Sequence, residues 1–234
     1  MNRLLFLCRR SRRILADRAG VALIEFGLSL PIIMALGIYG AELANFALIN
    51  MKISQIALNL SDNASRVGLS SGLAQQQLRE YDINDVFQAS RLQGKSFDLI
   101  DNGRITLSSL ETDEYNVQRI HWQRCLGNKT GTGFDSTYGT TSATAGSDAS
   151  IGNAGTLAPL GMGPVNAKVS APPQSGVMFV EINYAYEPLF AKILLGNQVI
   201  RYTASYIVRD RRDFSQIFNP APKVTAMTCT QARS

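Results

Sequence analysis

Catalytic chemistry finds little to work with in this sequence. Histidine occurs once, at His121, and it belongs to no set of Cys, Asp or Glu at metal-ligand spacing, so no metal site is expected. No G-x-S-x-G elbow marks a nucleophile. The stretch Gly127-Asn128-Lys129-Thr130 lacks the order of a phosphate-binding loop, because Trp122 stands where the first glycine of G-x-x-x-x-G-K-[ST] belongs. Asp113-Glu114 reads as solvated loop charge. No enzymatic role and no cofactor are expected.

Net charge is missing from most of the chain as well. The formal total is +5, but six arginines (Arg3, Arg9, Arg10, Arg12, Arg13 and Arg18) precede Val21, with Asp17 as the one acid among them. From Val21 onward 17 Lys and Arg balance 17 Asp and Glu. A nucleic-acid binder carries its basic charge on the folded domain, so a nucleic-acid partner is not expected. Cysteine is scarce too. Cys8 lies in the basic head, which leaves Cys125 and Cys229 for the body. A pair in an exported domain points to a disulfide; two free thiols are the alternative. A bridge would enclose 103 residues, and a loop that long is stabilised by on the order of 4–5 kcal/mol in the chain-entropy picture.

Charge is absent altogether from Phe26 to Ala41, with Glu25 and Glu42 at the two ends of the run. Residues 21–49 are apolar over more than the roughly 20 positions that a helix needs to span a bilayer core. Arginines before the run stay cytoplasmic, which puts residues 1–20 in a basic cytoplasmic leader, 21–48 in a transmembrane helix and 49–234 outside the cytoplasm. Three readings fit such an N-terminus. One is a removable secretory signal, whose apolar core is shorter and is followed by its cut site. Another is an uncleaved single-pass anchor whose exported domain binds an envelope partner. The third is a prepilin-type leader, cut before the apolar run so that the helix remains.

The third reading rests on Gly20-Val21-Ala22 with Glu25-Phe26, then Leu28, Leu30-Pro31 and Gly37-Ile38. This stretch resembles the TadE-like minor pilins, or pseudopilins, of the tight-adherence (Tad, Flp, type IVc) pilus system. The resemblance implies cleavage between Gly20 and Val21 by a prepilin peptidase, a membrane aspartyl enzyme. It further implies that Glu25, followed by Phe26, pairs with the new amino terminus at Val21 of a neighbouring subunit, since a buried charge needs a partner. The partners implied are other Tad pseudopilins, the major Flp pilin and the Tad inner-membrane platform. The implied location is the bacterial inner membrane, with the C-terminal domain in the periplasm. The family carries a second acidic residue after the later glycine, and Glu42 is the nearest candidate.

The body reads as α+β and pilin-like: a long N-terminal helix laid on an antiparallel sheet. Phe46, Ile49, Ile53, Ile56, Leu60, Ala64 and Val67 recur at steps of three or four, the stripe of a helix packed on a sheet. Gly68 to Gly72 ends this helix, with Ser70 or Ser71 as a cap for a second one over 73–92. Asp101-Asn102-Gly103 predicts a hairpin turn between strands at 96–100 and 104–110. Further strands are expected at 115–124, 176–186 and 198–209. The last two alternate, with Met178, Val180, Ile182, Tyr184 and Tyr186 on one side and Ile200, Tyr202, Ala204, Tyr206 and Val208 likewise. Residues 127–172 hold 21 Gly, Ser or Thr and four charges, and read as an exposed, mobile periplasmic loop. The tail from Asp213 shows little periodicity.

Overall fold

The computed structural model describes residues 19–69, 75–190 and 196–230. The arginines of the leader, Cys8, and the cap positions Ser70 and Ser71 lie outside the described residues. Helix α1 runs unbroken from Ala19 to Arg66, over 48 residues and through Pro31. It ends where Gly68 adopts φ +146°, a conformation that L side chains rarely adopt. Strand β1 (Gln76–Arg79), helix α2 (Glu80–Gly94), a 3₁₀ turn at Lys95–Phe97 and the short helix α3 (Leu99–Asn102) follow. The remaining strands are β2 (Gly103–Thr112), β3 (Gln118–Leu126), β4 (Thr156–Leu157), β5 (Ser175–Ala185), β6 (Val199–Ile207) and β7 (Arg212–Phe218).

Five strands form one antiparallel sheet in the order β4-β3-β2-β5-β6, and β1 pairs with β7 in a separate parallel ribbon. The fold is therefore α+β, with a long N-terminal helix on an antiparallel sheet. The apolar stripe of α1 lies on β5 and β6. Ile49, Ile53, Ile56, Leu60 and Ala64 are buried there with Ile105, Leu107, Met178, Val180 and Ile182. Each fully buried Ile or Leu contributes roughly 1.5–3 kcal/mol, so this seam fixes the helix to the sheet.

Two expectations fail. No hairpin forms at Asp101-Asn102-Gly103, because Lys95–Phe97 is a 3₁₀ turn and Leu99–Asn102 a short helix, with Asp98 left-handed between them. Phe97 and Leu99 are buried in the main core, and that burial decides the local structure over turn propensity. Gly103 itself is extended, with φ −141°. It serves close approach instead: a Cβ there would lie 2.7 Å from the Leu99 carbonyl oxygen and 3.0 Å from that of Asn183. The expected second helix begins later than predicted, at Glu80, because Gln76–Arg79 is claimed by β7.

The segment 127–172 is irregular but is not a free insertion. It lies against the sheet face opposite α1. Leu110, Ile120, Val177 and Phe179 form a second apolar cluster there with Ala158, Met162 and Ala171 of the segment. Polar side chains that point out of that face hold its backbone. Gln123 Nε2 donates to the Gly139 carbonyl at 3.0 Å, and Asn183 Nδ2 donates to that of Phe134 at 2.8 Å. Gln118 Nε2 donates to the Ala158 carbonyl at 2.7 Å while its Oε1 accepts from Ala171 N at 2.7 Å. The buried Glu181 carboxylate accepts from Ser136 Oγ and, at 3.2 Å, from Thr137 N.

Candidate functional site

Gly20, Val21, Glu25 and Phe26 all lie on the first two turns of α1 and are exposed. From Val21 to Ala41 no residue is buried. This helix is long and apolar enough to cross a membrane. Glu25 has no hydrogen-bond or ion-pair partner among the described residues. One helix thus has two halves of opposite character: residues before Glu42 touch almost nothing, and residues after it build a core.

Glu42 marks the change. It is fully buried, although it follows directly on the uncharged run. Its position extends the stripe of Phe46, Ile49 and Ile53 one turn toward the N-terminus, so the helix aims it at the sheet. Tyr186 Oη donates to Glu42 Oε1 at 2.6 Å, and the backbone N–H groups of Leu189 and Phe190 donate to the same carboxylate at 3.3 and 3.1 Å. Asn45 Nδ2 donates to Tyr186 Oη at 2.7 Å. The Phe46 and Tyr186 rings meet edge to face with centroids 5.0 Å apart. A buried carboxylate is tolerated only when its acceptors are filled, and here three donors fill them. Glu42 was legible as an acidic residue at the end of an apolar run; its partners, 144 and more positions away, were not.

A second polar group lies at the other end of the sheet. The β2–β3 register pairs Ser109 with Trp122 and Leu110 with Ile120, so His121 is the extra residue of a β-bulge. The bulge directs His121 to Glu111, with Nδ1 at 2.7 Å from Oε2, while Ser109 Oγ donates to Oε1 at 2.5 Å. Burial by itself would lower the His121 pKa, but the hydrogen bond and charge of Glu111 outweigh it and hold the imidazole above its ordinary value. Both residues line a cavity of about 240 Å³ together with Arg119, Asp148, Phe214 and Ser215. Among the described residues no group of His, Cys, Asp and Glu could hold a metal ion.

Buried arginines tie the remaining elements together. Arg124 and Glu80 form a buried ion pair that fixes the start of α2 to β3, with Nε 3.0 Å from Oε2. The Arg212 guanidinium donates to the Ala64 and Val67 carbonyls at 3.2 and 2.8 Å and so caps the end of α1. Burial pushes Arg212 down to about 10. Cys125 and Cys229 are bonded to each other, and the tail is also held by Cys125 N donating to the Met227 carbonyl at 2.7 Å and Arg104 Nη2 to that of Cys229 at 2.5 Å.

The fold and these contacts define a class: an α+β domain carried on a long N-terminal helix whose free half is apolar. Comparison with protein-family models, with curated proteins and with solved structures finds no match to this chain.

Proposed function

We propose that the chain is a TadE-like minor pilin, a pseudopilin that takes part in assembling a Tad (Flp, type IVc) pilus. A prepilin peptidase removes the leader after Gly20. The freed helix, starting at Val21, stays in the inner membrane or packs beside the helices of other Tad pseudopilins and the major Flp pilin, at the inner-membrane platform. Glu25 satisfies the amino terminus of a neighbour. The periplasmic domain rides on the buried half of α1.

The observation that carries this reading is the division of α1 at Glu42. An apolar half-helix with no residue buried from Val21 to Ala41 is stable in lipid or against other apolar helices, and costly in water. Glu25 in that half, unpartnered among the described residues, is a charge on an apolar helix that a neighbouring subunit can satisfy. The resemblance at Gly20-Val21 and Glu25-Phe26 supplies the chemistry of that partner.

The deciding measurement is the N-terminal sequence of the protein isolated from membranes of its native host. A start at Val21 supports prepilin-type processing. A start at Met1 overturns it and leaves an uncleaved single-pass protein whose exported domain binds an envelope partner. Gly20→Ser should then retain the leader while still inserting, and Glu25→Ala should be cut normally but fail to assemble. Wild-type piliation in the Glu25→Ala strain removes the pairing role.

A further inference from the structure

The connection between β5 and β6 begins beside Glu42. Leu189 and Phe190 donate their backbone N–H groups to the Glu42 carboxylate at 3.3 and 3.1 Å, yet their side chains are 63% and 55% exposed. Two large apolar side chains are thus held out from the domain at one fixed level along α1. That level can be placed. From Val21 to Glu42 the helix rises about 32 Å at ~1.5 Å per residue, close to the hydrocarbon thickness of about 30 Å. Tyr39, one turn before Glu42, is exposed as well, and exposed Tyr on a spanning helix marks the membrane–water boundary.

We infer that Leu189 and Phe190 insert into the outer interfacial layer of the bilayer that α1 crosses, so that the domain touches the lipid surface at a second point beside its helix. The inference rests on the membrane reading of α1 given above. A single helix leaves its domain free to tilt and swivel; a second contact removes that freedom. Glu42 is the positioning residue. Its carboxylate fixes the backbone at Leu189 and Phe190, and holds the Tyr186 hydroxyl, at the height where the apolar run ends. The occupant is lipid and not an aqueous partner, because the two exposed apolar side chains are tied to Glu42, where the exposed apolar run of the helix ends.

The test uses the full chain reconstituted into phosphatidylcholine and phosphatidylglycerol vesicles whose acyl chains carry bromine either near the headgroup or near the terminal methyl. Tryptophan is placed in turn at Phe190→Trp, Leu189→Trp and, as a marker of the span, Ile33→Trp. Wild-type protein supplies the background of the buried Trp122. The inference expects emission from the 190 and 189 probes to be blue-shifted and strongly quenched by the shallow bromines, with the 33 probe quenched by the deep ones. If the 33 probe is quenched while both others emit as in water and yield to iodide, the second contact is absent and the inference falls alone. Blue-shifted 190 and 189 probes that no bromolipid quenches mean that protein covers them, which also overturns it. If the 33 probe escapes quenching too, the membrane reading of α1 falls with it.

Discussion

Burial and the charges of Arg119 and Arg124 act to lower the His121 pKa, and Glu111 outweighs them. Glu111 receives the His121 Nδ1–H at 2.7 Å and holds that pKa above the ordinary value. A histidine with a raised folded-state pKa adds stability that is fully present below its unfolded value, about 6.5. That stability is lost as pH rises through the folded-state value. Thermal melting of the full chain in detergent should therefore show a higher Tm at pH 6 than at pH 8, and Glu111→Gln should flatten most of this difference while lowering stability at pH 6 by about 1–3 kcal/mol. An unchanged pH profile in the variant would show that the pair contributes nothing. The sequence did not show this pair. His121 and Glu111 stand ten positions apart across a turn, and only the bulge that leaves His121 without a cross-strand partner turns it toward the carboxylate.

At the scale of elements, periodicity was the reliable guide and composition was not. The α1 stripe and the alternation at 200–208 are readable because burial on one side repeats with the period of the element, whereas at 178–186 only the apolar side chains facing α1 repeat, both faces of β5 being buried. Asp101-Asn102-Gly103 misled because it was weighed as turn chemistry alone. Phe97 and Leu99 are both buried in the main core, one on each side of a left-handed turn at Asp98, and that burial outweighs the turn chemistry of the residues that follow. Gly103 tests this account. If it served a turn, alanine would be resisted because of φ; here φ is extended, and the resistance comes from the carbonyl oxygens of Leu99 and Asn183. Gly103→Ala should destabilise the chain by about 1–3 kcal/mol, the cost of overpacking a tight site, read from the shift in Tm. A neutral result would mean that β2 and β5 can separate enough to admit a methyl group. The fit between Glu42 and Tyr186 was beyond sequence reading for another reason: it joins the first element to the end of β5, and nothing local to Glu42 announces a tyrosine.

For the whole molecule, composition leaves the role of residues 127–172 open. Their Gly, Ser and Thr content has no period and resembles a passive insertion. The signal lay in the strands beneath. Gln118 and Gln123 on β3 and Glu181 and Asn183 on β5 are polar, and all are buried; in a sheet with one solvated face they would be exposed. They are buried because the segment covers them and accepts or donates their hydrogen bonds. Among the described residues, β2 and β5 are thereby enclosed on both faces, by α1 on one side and by this segment on the other. Replacing residues 138–163 with a short Gly-Ser linker would uncover Phe179, Val177 and Ile120, remove the Tyr138 ring that meets Phe179 edge to face at 5.6 Å, and take the Gly139 carbonyl and Thr141 N–H from Gln123 and the Ala158 carbonyl from Gln118. Unsatisfied buried polar groups cost about 1–3 kcal/mol each. Such a variant should bind a hydrophobic dye, melt well below wild type and lose cooperativity, although α1 and the disulfide are untouched. If it melted like wild type, the segment would be the passive insertion its composition resembles, and the sheet would have to be stable with one face in water.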